Sequence, residues 1–286
     1  MTKLSQIVVV TGMTGAGRGS AAKVLEKLGY YVVDNIPPSL LGAVVDTAES
    51  SEFEQLAVVI DARSREFFAR LVDELEVLRK RGVSARILYL EASDEVLVRR
   101  QEAARRPHPL SREERLIDGF DRERELLRRI RGRADLVVDT TNLNVHQLGQ
   151  RIRAAFEDPR SGGLRASVMS FGFKYGLPID ADMVADLRFL PNPYWVDELR
   201  PLSGLDEPVR DYVRNQPLSG QFLDKYEELI ALLTDGYLRE DQHFLTIALG
   251  CTGGRHRSVA MAEAFGERLR AHGVSVLVVH RDLGRE

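Results

Sequence analysis

The chain has 286 residues, of which 44% are hydrophobic and 29% charged, with a formal net charge of −3. That composition excludes a disordered or wholly basic protein, and the length favours two domains of middling size over one. The charge balance lends nucleic-acid binding no support, and the single cysteine, Cys251, excludes an intrachain disulfide framework and suits a reducing compartment.

The opening MTKLSQIVVVTG holds too short an apolar run for a signal peptide. No later run is long enough to span a bilayer, so a cytoplasmic protein with no membrane partner is expected. Val- and Ile-rich runs at 7–10, 30–33, 56–60, 86–90 and 135–138 suit buried parallel strands. Between them SAAKVLEKLG and SREFFARLVDELEVLRKRG show helical spacing and stop at Gly29 and Gly82. The pattern predicts a doubly wound α/β domain.

The first loop carries the strongest motif. Gly12, Met13, Thr14, Gly15, Ala16, Gly17, Arg18 and Gly19 keep both glycines of G-x-x-x-x-G-K-[ST] between a strand and a helix. Glycines there let successive N–H groups approach a phosphate, and the following helix aims its positive end at the same place. Arg18 stands for the usual Lys and preserves charge with a larger fork. Gly19 removes the hydroxyl that ligands Mg²⁺, unless Ser20 supplies one. Binding is therefore better supported than hydrolysis, and the plainer alternative is a tight turn without a ligand. LAVVIDARS then ends a strand at Asp61, where a second acid would hold a Mg²⁺ shell or merely form a turn.

DEVLVRRQEAARRPHPLS places Arg99, Arg100, Arg105 and Arg106 before a Pro-His-Pro break. It resembles a nucleotide-kinase lid, or else is a charged helix ending at proline. The arginine-rich stretch from 99 to 133 interleaves acids and reads mostly as a solvated face, with a phosphate-facing lid or RNA surface as alternatives. In ADLVVDTTNL, Asp139 and Thr140 lie near a base in such kinases or simply cap the next helix, NVHQLGQRIRAAF. The Pro/Gly/charge cluster at 157–165 marks a linker, giving domains 1–158 and 165–286.

The second domain opens with the strand RASVMSFGF, passes a Pro-rich stretch, and has a helix at about 219–235. In LPNPYW, Tyr194 and Trp195 are expected to pack over the core, with a pocket wall as the second role. A strand, glycine turn and helix follow in FLTIALGCTGGRHRSVAMAEAF, then a last strand, SVLVVH. Cys251, Thr252, Gly253, Gly254, Arg255, His256, Arg257 and Ser258 form a turn suited to an anion. Cys251 and Arg257 also satisfy the C-x5-R of cysteine phosphatases. Gly250 replaces their usual His and no general-acid Asp loop is evident, so a phosphate-holding pocket is favoured. The six histidines show no zinc-ligand spacing.

Several words together, GMTGAGRGSAAKVLEKLGYYVVDNIPPSLL, VVIDARS, RRPHPLS, SFGFKYGLPIDADMVADLRFLPNPYW, LRPLSGLDEPV and GCTGGRHRSV, resemble the RapZ family of P-loop nucleotide-binding proteins, also described as RNase adapter proteins. The resemblance implies a kinase-like N-terminal parallel sheet that binds ATP and GTP and hydrolyses them slowly with Mg²⁺. Residues 12–19 would form the ATP loop and Asp61, Ala62, Arg63 and Ser64 the GTP segment, with Arg18 and Asp61 serving catalysis. It also implies a C-terminal α/β domain like a phosphofructokinase subdomain that senses amino-sugar phosphates, and a homo-oligomer. Enterobacterial relatives bind small RNA and present it to an endonuclease. Here Tyr194 stands where RNA-binding relatives can carry His, and the chain ends HRDLGRE, without their basic tail. A nucleotide-binding regulator is thus expected, with an RNA adapter and a small-molecule kinase as rivals.

Overall fold

The computed structural model describes residues 4, 6–50, 53–60, 65–105, 108–110, 115–157, 164–240 and 242–285, and only the backbone of 65–70. The chain forms two compact units, Met1–Pro159 and Arg160–Glu286.

In the first unit the elements run β1 (Gln6–Gly12), α1 (Arg18–Lys27), β2 (Tyr31–Asp34), α2 (Leu41–Glu49), β3 (Gln55–Val59) and α3 (Arg65–Lys80). They continue with β4 (Ala85–Glu91), α4 (Asp94–Ala104), α5 (Leu116–Arg131), β5 (Leu136–Asp139) and α6 (Val145–Phe156). The five strands form one sheet in the order β2-β3-β1-β4-β5, with every pairing parallel. Strands β1 and β4 are buried along their whole length, as Val/Ile runs covered on both faces must be. The chain leaves β1 toward β2 and leaves β4 toward β5, so the sheet has its topological switch point at the carboxyl ends of β1 and β4. Ligand crevices of open parallel sheets form at such points.

The helix stops read from Gly29 and Gly82 are real. Both residues are left-handed, at φ +93° and +81°. After α1, Gly29 N–H donates to Glu26 O and Tyr30 N–H to Leu25 O; Gly82 and Val83 repeat the pattern on Arg79 and Leu78. These paired bonds close off carbonyls that a helix end leaves orphaned. The cap of α6 differs from expectation. Neither Asp139 nor Thr140 provides it: Asn144 accepts from Gln147 N–H, and the Gln147 side chain accepts from Asn144 N–H, a reciprocal capping box. Asp139 instead accepts from the Thr141 N–H and hydroxyl.

The second unit contains β6 (Arg165–Gly172), β7 (Met183–Asp186), α7 (Glu207–Arg214), α8 (Pro217–Arg239), β8 (Phe244–Cys251), α9 (Arg257–Ala271) and β9 (Ser275–His280). Its sheet has the order β7-β8-β6-β9, again all parallel. Its core is Leu245, Ile247 and Leu249 of β8 against Met261, Phe265 and Leu269 of α9, closed by Val209 and Val213 of α7. β6 and β8 are neighbours whose connections leave in opposite directions, and Gly172 pairs with Cys251 at their carboxyl ends. This unit too has a switch point where its glycine turn begins. Among the described residues no helix is long and apolar enough to cross a membrane.

Candidate functional site

In the first unit β1 delivers Gly12 to the switch point and α1 leaves it at Arg18. Gly12, Gly15 and Gly17 have φ of +130°, +85° and +102°, angles that side-chain-bearing residues adopt only with strain. At Gly12 space is equally restrictive, because a Cβ would lie 2.0 Å from the Leu90 carbonyl oxygen of β4. Met13 N–H donates to that oxygen at 2.9 Å, and Ala16 N–H donates to Met13 O at 3.0 Å. Both side chains are buried, which seats the loop on the sheet edge.

The loop carbonyls are held from the protein side. The Arg100 guanidinium of α4 donates to Gly15 O at 3.1 Å, to Thr140 Oγ1 at 2.9 Å and to Thr140 O at 2.8 Å. Thr140 Oγ1 in turn lies 3.0 Å from Ala16 O and 3.1 Å from Glu91 O. A trans peptide sends its C=O and the next N–H in opposite directions, so holding Ala16 O turns the Gly17 N–H the other way. Gly17 is the N-cap of α1, which has no side-chain capping bond and no acid in its first turn. The first-turn N–H groups and the helix dipole therefore converge on one place suited to an anion. The half-buried Arg100 guanidinium is thus turned onto the glycine loop and the end of β5.

Arg18 is half-buried, with Nη1 3.4 Å from Ile60 O at the end of β3. Gly19 is exposed, and a Cβ added there meets no atom within 4 Å. Ser20, half-buried in the same first turn, is the hydroxyl nearest in sequence to that position. Asp61, Ala62, Arg63 and Ser64, and also Arg106, lie outside the described residues. Among the described residues no group of three or more His, Cys, Asp or Glu side chains could hold a metal.

The second unit repeats the plan from Cys251 onward. Gly254 has φ +78°, and a Cβ there would lie 2.7 Å from Gly172 N, so the turn packs flat against the end of β6. Cys251 is buried; its Sγ accepts from Gly254 N–H at 3.3 Å and lies 3.1 Å from Ser258 Oγ. The three basic side chains of the turn all engage main-chain carbonyls. Arg255 donates to Leu202 O at 2.8 Å and to Pro201 O, and His256 Nε2 lies 3.3 Å from Arg200 O. Arg257 donates to Arg188 O at 3.2 Å, Leu190 O at 3.0 Å and Thr252 Oγ1 at 3.3 Å. These bonds fasten the segment 188–202 around the turn.

A cavity of about 420 Å³ opens beside it, reached by Cys251, Thr252, Gly253 and Arg255 to Arg257, and by Lys174, Asn192, Tyr194, Trp195 and Arg200. Trp195 does not pack over the core: it is 76% exposed and stands edge-on to Tyr194 at 5.4 Å. The pocket-wall role is the one its position fits, because the 3₁₀ turn at Pro193–Trp195 projects both rings at the cavity mouth. Lys174 and Arg200 escaped the sequence reading. Nothing in a lone Lys after SFGF or an Arg before PLSG marks it, since the fold alone brings them to the cavity.

Comparison with known proteins places both halves. A family model described as a RapZ-like N-terminal domain matches residues 5–160, and one described as a RapZ C-terminal domain matches 164–284. A nucleotide-binding protein of Thermobifida fusca is 58% identical over 285 residues, covering 99% of this chain and 97% of the relative. One of Streptomyces coelicolor is 55% identical over 285 residues, covering 99% and 95%. Among solved structures, a shikimate kinase from Bacteroides thetaiotaomicron aligns at TM-score 0.40 and 18% identity, covering 53% of this chain and 98% of that one.

Proposed function

The chain belongs to the RapZ family, and from that premise we propose that it binds ATP and GTP on the loop Gly12–Gly19, hydrolyses them slowly, and holds a phosphorylated amino sugar beside Cys251–Ser258. The observation that carries the nucleotide reading is the uncapped start of α1, combined with the outward hold of Arg100 and Thr140 on the loop carbonyls. The names of the two relatives as nucleotide-binding proteins support it. Mg²⁺ in such sites keeps phosphate oxygens and waters as most of its ligands, so one protein hydroxyl suffices and Ser20 would supply it; the ion would neutralise phosphate charge. Arg18 would orient the phosphates, and Asp61 would order water on the metal.

For the second unit, the turn amides and the nearby cations support retention of a phosphate monoester. Cys251 Sγ already accepts a backbone N–H and neighbours the Ser258 hydroxyl, a structural use of the thiol. Cytoplasmic location and self-association complete the reading. RNA binding has no support in these features.

Calorimetry of the intact protein with ATP, GTP and a hexosamine phosphate tests both sites. Gly17→Val, whose Cβ would meet Leu148 Cδ2 at 3.1 Å from a left-handed backbone, should abolish nucleotide binding and spare the sugar phosphate. Cys251→Ser should keep sugar-phosphate affinity. Phosphate release by the wild type that disappears in Cys251→Ser would instead identify a phosphatase.

A further inference from the structure

Helix α5 is one of the most charged segments of the chain, yet one of its acids is completely buried. Its buried stripe is Gly119, Phe120, Glu123, Leu127 and Ile130, so Glu123 sits at a core position between apolar neighbours. Burying a carboxylate costs several kcal/mol unless its oxygens are satisfied. Here they are. Glu123 Oε1 accepts from Thr14 Oγ1 at 2.7 Å, Oε2 accepts from Thr14 N–H at 3.0 Å, and His108 Nε2 lies 3.2 Å from the same Oε2.

The tautomer of His108 follows from geometry. Leu110 N–H donates to His108 Nδ1 at 3.2 Å, so Nδ1 carries a lone pair and the ring proton is on Nε2, directed at Glu123. The ring is fully buried and edge-on to Phe120 at 4.5 Å. His108 and Glu123 thus form an oriented pair whose exposed product is the position of one residue, Thr14, in the glycine loop. Thr14 is gripped through both its backbone and its side chain, while Arg100 holds the next carbonyl, Gly15 O.

We propose that Glu123, oriented by His108, is a positioning residue that sets the conformation of the glycine loop for nucleotide, although neither side chain is part of the loop. This rests on the reading of residues 12–19 as the nucleotide site. It also gives the RRPHPLS word a role in the site through His108, by a buried bond to the carboxylate.

The test is calorimetry with ATP and GTP on the full chain, joined to amide hydrogen exchange in the nucleotide-free protein. Glu123→Ala should weaken both nucleotides by about tenfold or more, the scale of a lost hydrogen bond to a charged group. Glu123→Gln, which keeps an acceptor for the two N–H donors, should restore affinity to within about threefold. Thr14→Ala combined with Glu123→Ala should be no worse than the weaker single variant by more than about twofold, because the two act through one contact. In wild type, nitrogen NMR should show His108 protonated at Nε2 alone. Equal affinities for wild type and Glu123→Ala, or full additivity in the cycle, overturn the proposal. Should Glu123→Ala not fold, His108→Ala takes its place: about threefold or greater loss with an intact melt supports the pair, and no loss overturns it. If the wild type binds neither nucleotide, the functional reading fails by itself, and exchange still decides the positioning role. Loop amides 13–17 should then exchange about tenfold faster in Glu123→Ala or His108→Ala than in wild type, with β4 unchanged; unchanged loop exchange overturns it.

Discussion

Arg257→Ala separates the structural work of the C-terminal turn from its ligand chemistry. Arg257 is 5% exposed and donates to two main-chain carbonyls and one hydroxyl. Among the described residues its Nε has no partner. A hydrogen bond to a charged group contributes about 1.5 to 3 kcal/mol, and abandoned buried carbonyls add about 1 kcal/mol or more. The Arg188 and Leu190 carbonyls would recover part of that by relaxing toward water, so we expect a net loss of about 3 kcal/mol. In a unit of this size that corresponds to a melting decrease of roughly 10 °C. Urea titration followed by circular dichroism measures it, and emission of Trp195, the sole tryptophan, assigns the transition to the second unit. Arg257→Lys should recover about 1 kcal/mol, since an ammonium reaches one carbonyl where the fork reaches two. Sugar-phosphate affinity should fall in Arg257→Ala even at temperatures where the unit stays folded, because segment 188–202 loses its fastening. An Arg257→Ala protein that unfolds within about 0.5 kcal/mol of wild type would refute this account and return the guanidinium to the ligand.

Ser20→Ala should lower Mg²⁺-dependent nucleotide turnover more than affinity, because Ser20 is the proposed metal-ligand hydroxyl, and Gly19→Ser, whose side chain meets open space, should leave turnover nearly unchanged; faster turnover in Gly19→Ser with no effect of Ser20→Ala would show that Ser20 does not serve the metal. Gly12→Ala should cost more than about 3 kcal/mol, because its Cβ collides with Leu90 O, and near-native urea stability would contradict the loop geometry. His280 accepts from or donates to Ser170 Oγ at 2.9 Å and pairs with Glu263 at 3.0 Å, yet burial outweighs the carboxylate and lowers its pKa from the ordinary 6.5. The unfolded chain then takes up a proton first, so stability should fall as pH drops from about 6.5 through the lowered folded value; His280→Asn should lose that slope in pH-dependent melts, and an unchanged slope would count against the assignment.

The repeating strand–glycine turn–helix plan was legible because glycine positions and Val/Ile runs are local signals. Gly29 and Gly82 stop helices through left-handed angles that the sequence position alone suggests. Partnership across the fold is a different matter. TTNLNVHQ offers four capping side chains, and only Asn144 has a Gln three residues on, a pattern that could have been read. Helix α7 begins inside a Pro-rich stretch because Pro is tolerated in a first turn, so proline there marks a helix start that composition alone does not reveal. Glu123 was hidden among the acids of DGFDRERELL, although its spacing from Phe120 and Leu127 is that of the buried face. Trp195 departs from the expected core packing because aromatic content says nothing about which side of a 3₁₀ turn faces water.

Arg100 shows most directly how two readings of one residue part. A lid arginine would act through its charge on phosphate, whereas the observed guanidinium bridges Gly15 O and Thr140 O, linking the glycine loop to the end of β5. Burial and the neighbouring Arg99 lower its pKa, with Asp139 opposing them; the fold tolerates this for a planar fork that satisfies three acceptors at once. Arg100→Lys keeps the charge and loses the bridge. If the bridge matters, Arg100→Lys and Arg100→Ala should weaken ATP and GTP binding alike, by about tenfold, with little added salt dependence. Thr140→Val, which removes the hydroxyl facing Ala16 O, should move affinity in the same direction. Calorimetry at two ionic strengths reads all three variants. If Arg100→Lys instead binds like wild type while Arg100→Ala does not, charge is what nucleotide requires of this position, and the loop-fixing role assigned to Arg100 is wrong.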